Sequence, residues 1–349
     1  MKPNLRSHSK FTPIALVLIV AVALFGGPEV SAQVTTSGTL VSGNIFVSVN
    51  GHLPIGNDNF SGTVLQFTPQ GAQSTLIPSI VHPRGLAFDG AGNFFVTSIQ
   101  NSTNTSEIYK VTPDGTLTTF ATSTVGVIGP LAVDAEGNVF ATNIDTNDPS
   151  SGTLFLKFTP TGVQSVVASF PTNYFGLALD GAGNLVAVNQ ADWIVYKISP
   201  NGTKSPFVNT IDPNNSNSGG VALVFDSQGN LFVSTSGNAP NDTILKFTPA
   251  GSESIFASGL NNPRGLTFDK QGNLLVTEIN AGDVLKFTPS GSASVFASGL
   301  VAPIYIAIMP ATPTSMNQCK NGGWQTLFRA NGTHFKNQGD CIQYVNTGK

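Results

Sequence analysis

The sequence has little charge and almost no cysteine. Only 10% of its 349 residues are charged, the formal net charge is -3, and two residues are cysteine. No cluster of Lys and Arg is present to neutralise a row of phosphates, so we do not expect nucleic-acid binding. Two cysteines are too few for a disulfide-knit mini-domain or a four-cysteine zinc module. With 40% hydrophobic residues, the chain has the composition of a folded protein.

The sequence also lacks a long apolar run. Its amino terminus has a basic segment, an uninterrupted apolar run at residues 14–25, and Val-Ser-Ala at 30–32. The run is shorter than the roughly 20 residues that span a bilayer, and the layout is typical of a secretory signal peptide cleaved after Ala32. An uncleaved membrane anchor is the alternative. We predict that residues 1–32 are removed, and that the mature chain is a soluble monomer, secreted or periplasmic, without a transmembrane segment.

What the chain does contain is a repeat. The phrase PRGLAFDGAGNFFVTS begins at Pro83 and recurs with changes from residues 129, 175, 221 and 263. A second phrase, of the KFTPAG kind, occurs six times. Asp-x-x-Gly-Asn and Thr-Pro-x-Gly are turn sequences that separate short runs of strand-forming residues. Each unit therefore holds four strands, for example 85–89, 93–98, 106–112 and 117–121, which is typical of a propeller blade.

The two ends of the repeat complement each other. The first unit starts at 43–48 with a second strand, and the last unit ends at 303–308 with a first strand. We predict an all-β, six-bladed propeller over residues 33–309, in which strand 303–308 closes the blade begun at 40–77. Closure removes exposed sheet edges. A linear β-solenoid is the alternative, but it does not explain the complementary ends.

The Pro-x-Gly-Leu-Ala-Phe-Asp opening, the Gly-Asn-hydrophobic second strand and the Thr-Pro-x-Gly turn resemble NHL repeats over residues 39–309. They are also similar to six-bladed propellers of the SMP-30/gluconolactonase and virginiamycin B lyase types. This resemblance implies the fold; a propeller hosts many unrelated activities.

The repeat stops after Met309, and residues 310–318 are predicted to be a linker. The remaining segment, 319–349, contains both cysteines, Cys319 and Cys341. In an exported protein we expect them to form one disulfide; a metal-binding thiol pair, with His334 as the nearby imidazole, is the weaker alternative. The expected small core comprises Trp324, Phe328, Phe335 and Tyr344. The segment resembles a Cys-Lys-Asn-Gly-Gly-Trp tail of secreted bacterial proteins.

In such a propeller, the loops entering each first strand and leaving each second strand share one face, here called the mouth. The second strands are predicted to end at Val49, Ser98, Asn143, Asn189, Thr235 and Glu278. The entering loops add His82, Arg84, Tyr174, Arg264 and Tyr305. We expect a small ligand, peptide or glycan to bind there, at Ser98, Asn143, Asn189, Thr235, Arg264 and Glu278.

Oxygen donors at the mouth suggest a cation. Asn143, Asn189 and Glu278 offer the ligands that Ca²⁺ prefers. Alternatively, Glu278 pairs with Arg264 and the amides satisfy local backbone groups. The resemblance to gluconolactonases implies a metal-ligating Glu on the first blade, where this chain has Val49, and no Glu-Gly-Pro occurs. The resemblance to lyases of the virginiamycin type implies His together with Glu, and no His stands in the stretch directly after Glu278.

Candidate catalytic groups are few. His82 and Arg84 stand before the first full blade, and His82 has the chemistry of a general base; a solvated loop residue is the alternative. We therefore expect an exported binding or scaffold module. The alternative is a metal-dependent lactonase, hydrolase or lyase that uses Asn143, Asn189 and Glu278 as ligands.

Two repeated charges are interpreted structurally. We predict that the turn aspartates cap backbone N–H groups: Asp89, Asp134, Asp180, Asp226 and Asp269. We predict that the lysines of the third strands form a solvated outer rim that discourages edge pairing: Lys110, Lys157, Lys197, Lys246 and Lys286.

Overall fold

The computed structural model describes residues 34–51, 61–100, 104–123, 126–145, 148, 150–211, 218–237, 239–310, 316–320 and 335–347. The predicted signal peptide lies outside these residues. Of the helices that the structure describes, none is long and apolar enough to cross a membrane.

The described chain forms six four-stranded antiparallel sheets. In chain order the strands are β1 (Ile45–Val49), β2 (Ser61–Phe67), β3 (Gln73–Val81), β4 (Pro83–Phe88), β5 (Phe94–Gln100), β6 (Thr105–Val111), β7 (Leu117–Ser123), β8 (Val127–Val133), β9 (Val139–Ile144), β10 (Thr153–Phe158), β11 (Gln164–Phe170), β12 (Tyr174–Leu179), β13 (Leu185–Asn189), β14 (Ile194–Ile198), β15 (Lys204–Asn209), β16 (Gly219–Phe225), β17 (Leu231–Ser236), β18 (Asp242–Phe247), β19 (Glu253–Leu260), β20 (Pro263–Phe268), β21 (Leu274–Glu278), β22 (Asp283–Phe287), β23 (Ala293–Ala297) and β24 (Pro303–Ile308). Blade one has the strand order β24-β1-β2-β3, and blades two to six each take four consecutive strands, from β4 to β23.

The ring closes as predicted. β24 pairs antiparallel with β1, with Val49 opposite Pro303 and Ile45 opposite Ile308. The innermost strands contact one another in the order β4, β8, β12, β16, β20, β24 and back to β4. The six-bladed propeller is therefore confirmed, and the linear β-solenoid is wrong.

The turn aspartates act as predicted. Asp89 Oδ1 accepts hydrogen bonds from Ala91 N and Asn93 N, each at 2.9 Å, and Asp89 Oδ2 accepts one from Asn93 Nδ2 at 2.7 Å. Gly92 takes the left-handed backbone conformation that completes the turn. The four equivalent aspartates make the same bonds. Each carboxylate thus fixes the connection between a first and a second strand.

The third-strand lysines are half-buried, and they make contacts that the interpretation as a solvated rim did not include. Lys157 Nζ lies 5.5 Å from the ring centroid of Phe140, and Lys246 Nζ lies 5.2 Å from that of Phe232. Lys197 and Lys286 form ion pairs with Asp180 (3.2 Å) and Asp269 (2.8 Å). The ammonium groups of Lys157 and Lys246 therefore make cation–π contacts, and those of Lys197 and Lys286 are paired with turn carboxylates.

The core lies between the blades. Phe46 of blade one packs against Phe88 and Phe94 of blade two, with ring centroids 5.2 and 5.3 Å apart. Similar clusters fill the other interfaces. Burial of such rings stabilises the folded state by about 25 cal/mol for each Å² of apolar surface removed from water.

Small hydroxyls join neighbouring blades at the mouth end. Thr277 Oγ1, fully buried, accepts a hydrogen bond from Gly265 N of its own blade at 2.8 Å and donates one to Ile304 O of blade one at 2.7 Å. Ser234 Oγ of blade five donates to Arg264 O of blade six at 3.1 Å. Each such bond ties a second strand to the innermost strand of the next blade.

The carboxyl-terminal segment contains two helices, α1 (Met316–Cys319) and α2 (Gln338–Thr347); α1 begins inside the stretch predicted to be a linker. The predicted disulfide between Cys319 and Cys341 is confirmed. Phe335 and Tyr344 pack around it, whereas Trp324 and Phe328 lie outside the described residues. Tyr344 Oη donates a 3.5 Å hydrogen bond to Gly90 O, in the turn of blade two.

Thr277→Val is predicted to destabilise the propeller by about 1–3 kcal/mol, because the substitution leaves Gly265 N and Ile304 O without their partner. The matched control is Thr97→Val in blade two. Thr97 occupies the equivalent position and is equally buried, but its Oγ1 has no hydrogen-bond partner among the described residues. Urea denaturation of both variants measures the difference; equal losses of unfolding free energy would contradict this role for Thr277.

Candidate functional site

The register places the predicted second-strand ends at one level of the ring. Ser98 is opposite Pro83, Glu278 is opposite Pro263, and Val49 is opposite Pro303. Asn189 likewise faces Tyr174, the first residue of β12, whereas Asn143 and Thr235 face the second residues of β8 and β16. All six side chains are buried. They therefore support the mouth from beneath and expose little surface to a ligand.

The uncharged members of this level hold loops. Ser98 Oγ donates to Val81 O at 2.8 Å, and Asn143 Nδ2 donates to Ser123 Oγ at 3.0 Å. Asn189 Oδ1 accepts from Ala191 N at 3.0 Å. Thr235 Oγ1 accepts from Thr243 N at 2.9 Å. These bonds give the four residues a structural role, and direct ligand contact by them stays a prediction.

Glu278 is 6% exposed, and its Oε1 accepts a hydrogen bond from Asn261 N at 2.7 Å. Burial raises the pKa of the Glu278 carboxyl, the Asn261 N–H opposes that rise, and Asp283 adds to it. The predicted ion pair between Glu278 and Arg264 is wrong. Glu278 is paired with Pro263, and the register shift between Pro263 and Leu266 carries Arg264 away from it.

The calcium candidates lie on three different blades and take part in other bonds. Asn143, Asn189 and Glu278 lie on blades three, four and six, and the oxygens of Asn189 and Glu278 already accept backbone N–H groups. Ca²⁺ takes six to eight oxygen ligands. The described residues hold no group of three or more His, Cys, Asp or Glu that could bind a metal ion. Calcium binding by Asn143, Asn189 and Glu278 stays an untested prediction.

His82 is 7% exposed, so the alternative of a solvated loop residue is wrong. It precedes Pro83 and has a φ of 38°. Asn262 (φ 60°) precedes Pro263 in the same way, and Ala302 (φ 46°) precedes Pro303. Proline disfavours the right-handed helical conformation in the residue before it. The chain therefore enters three neighbouring innermost strands, β4, β20 and β24, through the same constrained step.

At the start of several innermost strands, a polar side chain of the preceding blade accepts a hydrogen bond from a backbone N–H of the entering chain. Sequence reasoning missed this feature. Ser106 Oγ accepts from Ile128 N at 3.0 Å, and Thr153 Oγ1 accepts from Tyr174 N at 3.1 Å. In blade five the corresponding group is Asp242, fully buried, whose Oδ2 accepts from Asn262 N at 3.1 Å. In these three blades, a small polar residue near the start of the third strand is the sequence feature that indicates it.

Three mouth residues come together across blades six, one and two. Arg264, Tyr305 and Arg84 lie near the mouth ends of β20, β24 and β4, which are consecutive in the ring. Each is half-buried. Burial lowers the pKa of Arg264 and Arg84 lowers it further, while Tyr305 and Asp242 act in the opposite direction. Burial also raises the pKa of Tyr305, against the influence of the two arginines. The three groups therefore share one electrostatic environment.

Neither arginine has a partner for its guanidinium in the described part of the chain. The Nε atoms of Arg84 and Arg264 are buried without a hydrogen-bond acceptor. The ion pairs found among the described residues are Lys197–Asp180 and Lys286–Asp269, both at the turn ends of the blades. Two positive charges thus stand close together at the mouth with their side-chain donors free.

The opposite face of the ring carries a concavity that sequence reasoning did not consider. It has a volume of about 1670 Å³ and lies at the Asp-x-x-Gly-Asn and Thr-Pro-x-Gly turns of blades three to six and of blade one. Its lining includes Phe140, Phe232, Asp226, Lys157 and Gln271. A ligand could therefore meet the propeller at either of two faces, the mouth or this concave turn face.

Comparisons with known proteins show the fold alone. No family model matches the sequence, and no curated protein matches it significantly. Among solved structures, a protein from Lactobacillus plantarum is 15% identical, with a TM-score of 0.51, covering 78% of this chain and 87% of that one. Virginiamycin B lyase from Staphylococcus aureus is 19% identical, with a TM-score of 0.48 and coverage of 64% and 73%. A putative gluconolactonase is 13% identical, with a TM-score of 0.49 and coverage of 78% and 95%.

Glu278→Gln is predicted to stabilise the protein at neutral pH. The folded state raises the pKa of Glu278, so its charged form costs stability once the pH exceeds that pKa. Gln keeps an acceptor for Asn261 N and removes the charge. The gain is up to about 1.4 kcal/mol for each unit by which the pKa is raised, and it vanishes below about pH 4. Urea denaturation at both pH values measures it; a variant less stable than wild type at pH 7 would contradict this role.

Proposed function

We propose that this protein is an exported, monomeric binding module that receives a small ligand, peptide or glycan at its mouth. The observation that carries the proposal is the unengaged set of donors on Arg84, Arg264 and Tyr305. Ser98, Asn143, Asn189 and Thr235, by contrast, hydrogen-bond neighbouring parts of the chain. Donors held rigidly by a closed ring bind a ligand without first being ordered, which lowers the cost of association.

The geometry favours binding over the hydrolase alternative. The residues that would ligate a catalytic metal make other bonds: Glu278 holds Asn261 N, and Asn189 holds Ala191 N. His82 lies in the constrained step before Pro83. These residues build the mouth, and they leave the arginines and the tyrosine to meet a ligand.

Export is part of the proposal. The layout of residues 1–32 is that of a secretory signal peptide. The Cys319–Cys341 disulfide supports an oxidising destination such as the periplasm or the medium.

A matched pair of substitutions on blade six tests which face binds. Asn280 is exposed and follows β21 at the mouth, and Gln271 is exposed at the turn face. Neutral glycans, short peptides and small acids are screened by thermal shift, and those that bind are titrated by calorimetry. Asn280→Trp is expected to weaken binding several-fold because the ring obstructs the mouth, while Gln271→Trp leaves it unchanged. The reverse pattern would move the site to the turn face and refute the proposal.

A lactone-hydrolysis assay tests the alternative that the protein is a metal-dependent hydrolase. A series of lactones is incubated with the protein, with and without Ca²⁺, Mg²⁺ or Zn²⁺. We expect no hydrolysis above background. Turnover that requires a divalent cation and is lost in Glu278→Gln would replace the binding module by a metal-dependent hydrolase.

A further inference from the structure

Two carboxylates at the mouth end of blades three and four are hydrogen-bonded locally. Asp145 and Asp192 follow the second strands β9 and β13; Asp145 accepts from Asn104 Nδ2 at 2.6 Å and Asp192 accepts from Tyr196 Oη at 2.9 Å. Arg264, Tyr305 and Arg84 belong to blades six, one and two. These two carboxylates and the two arginines therefore lie on different blades.

Carboxylates nearer to the arginines are already engaged. Glu278 accepts from Asn261 N, and Asp242 accepts from Asn262 N while lying fully buried. Asp242 attracts Arg264 electrostatically, but it forms no ion pair with it. Within the described residues, the charge of the two guanidinium groups is left without a bonded counter-charge.

Holding the two arginines close together without a bound anion costs free energy. Two like charges near each other in a partly desolvated site repel, and a buried N–H without an acceptor loses the hydrogen bond that water would give it. An anion placed between the groups removes both costs. A guanidinium presents five donors in a planar fork that matches carboxylate and phosphate oxygens, and the hydroxyl of Tyr305 adds one more.

We propose that the mouth binds the oxyanion group of a small acidic ligand, a carboxylate, phosphate or sulfate, between Arg84 and Arg264 with Tyr305 beside them. This rests on the proposed function and names the ligand's chemistry. The neutral remainder of the ligand extends toward blades three to five, whose second strands carry Asn143, Asn189 and Thr235 at the mouth end.

The probes are paired so that only the charge differs. D-glucuronate and D-glucose share a sugar ring, and inorganic phosphate and sulfate test the tetrahedral anions. Each is titrated into the full protein at constant ionic strength. We expect at least one of glucuronate, phosphate and sulfate to bind at least tenfold more tightly than glucose; if none of the three anions does so, the oxyanion site is overturned.

Substitutions distinguish anion recognition by the planar guanidinium groups from a nonspecific effect of the protein's positive charge. Arg84→Gln and Arg264→Gln are each expected to weaken anion binding by about tenfold or more, as for the loss of a charge-assisted hydrogen bond. Arg84→Lys restores only part of the affinity because an ammonium cannot bind in the same forked way. Lys157→Gln removes an equal charge at the turn face and is expected to change the affinity less than about twofold. Thermal unfolding shows that each variant is folded.

The outcomes distinguish this inference from the broader one. Anion binding that is unchanged in both Arg→Gln variants, or that falls equally in Lys157→Gln, refutes the oxyanion site. If a neutral glycan binds and is sensitive to Asn280→Trp but not to Arg84→Gln, the binding function stands and the oxyanion site fails. Anion binding that is sensitive to both arginines supports both.

Discussion

The antiparallel pairing of β24 with β1 is the interaction on which the rest of the structure depends. It joins residues 303–308 to residues 45–49 and completes blade one between blades six and two. Without it, β1 and β20 would present unpaired or uncovered surfaces, which invite association with other chains. The same pairing makes β20, β24 and β4 neighbours, so the closure that stabilises the ring also brings Arg264, Tyr305 and Arg84 to one place.

Side chains rather than backbone ladders connect the blades. Thr277, Ser234 and Asp242 each bond the backbone of a following innermost strand. Such buried polar groups are costly unless fully paired, and here the pairing sets the height and direction of the entering loops. The shape of the mouth therefore depends on buried residues that do not line it. Most polar side chains of the ring support the loops, and the donors left for a ligand are those of Arg84, Arg264 and Tyr305.

The fold was predictable because its information is local and repeated. The turn phrases fix strand ends through short-range bonds such as those of Asp89, and counting strands at the two chain ends predicts the closure. Side-chain partners were not predictable in the same way. Glu278 meets Asn261 N instead of Arg264 because a register shift in β20 turns the arginine away, and two third-strand lysines make cation–π contacts with aromatic rings. The Pro-Arg-Gly-Leu phrases at 83 and 263, flanking the closing strand, were the available indication that two arginines meet.

Closure by the last strand also sets an order of assembly. β1 is among the first strands to be synthesised, yet its partner β24 lies more than 250 residues later, and contacts between such distant residues form slowly. Blades two to six are each formed by four consecutive strands, whereas blade one is complete only after β24 has been synthesised. Because the arginines of blades two and six meet across blade one, the site comes into being only with the final strand, and an incomplete chain displays no mouth of this kind.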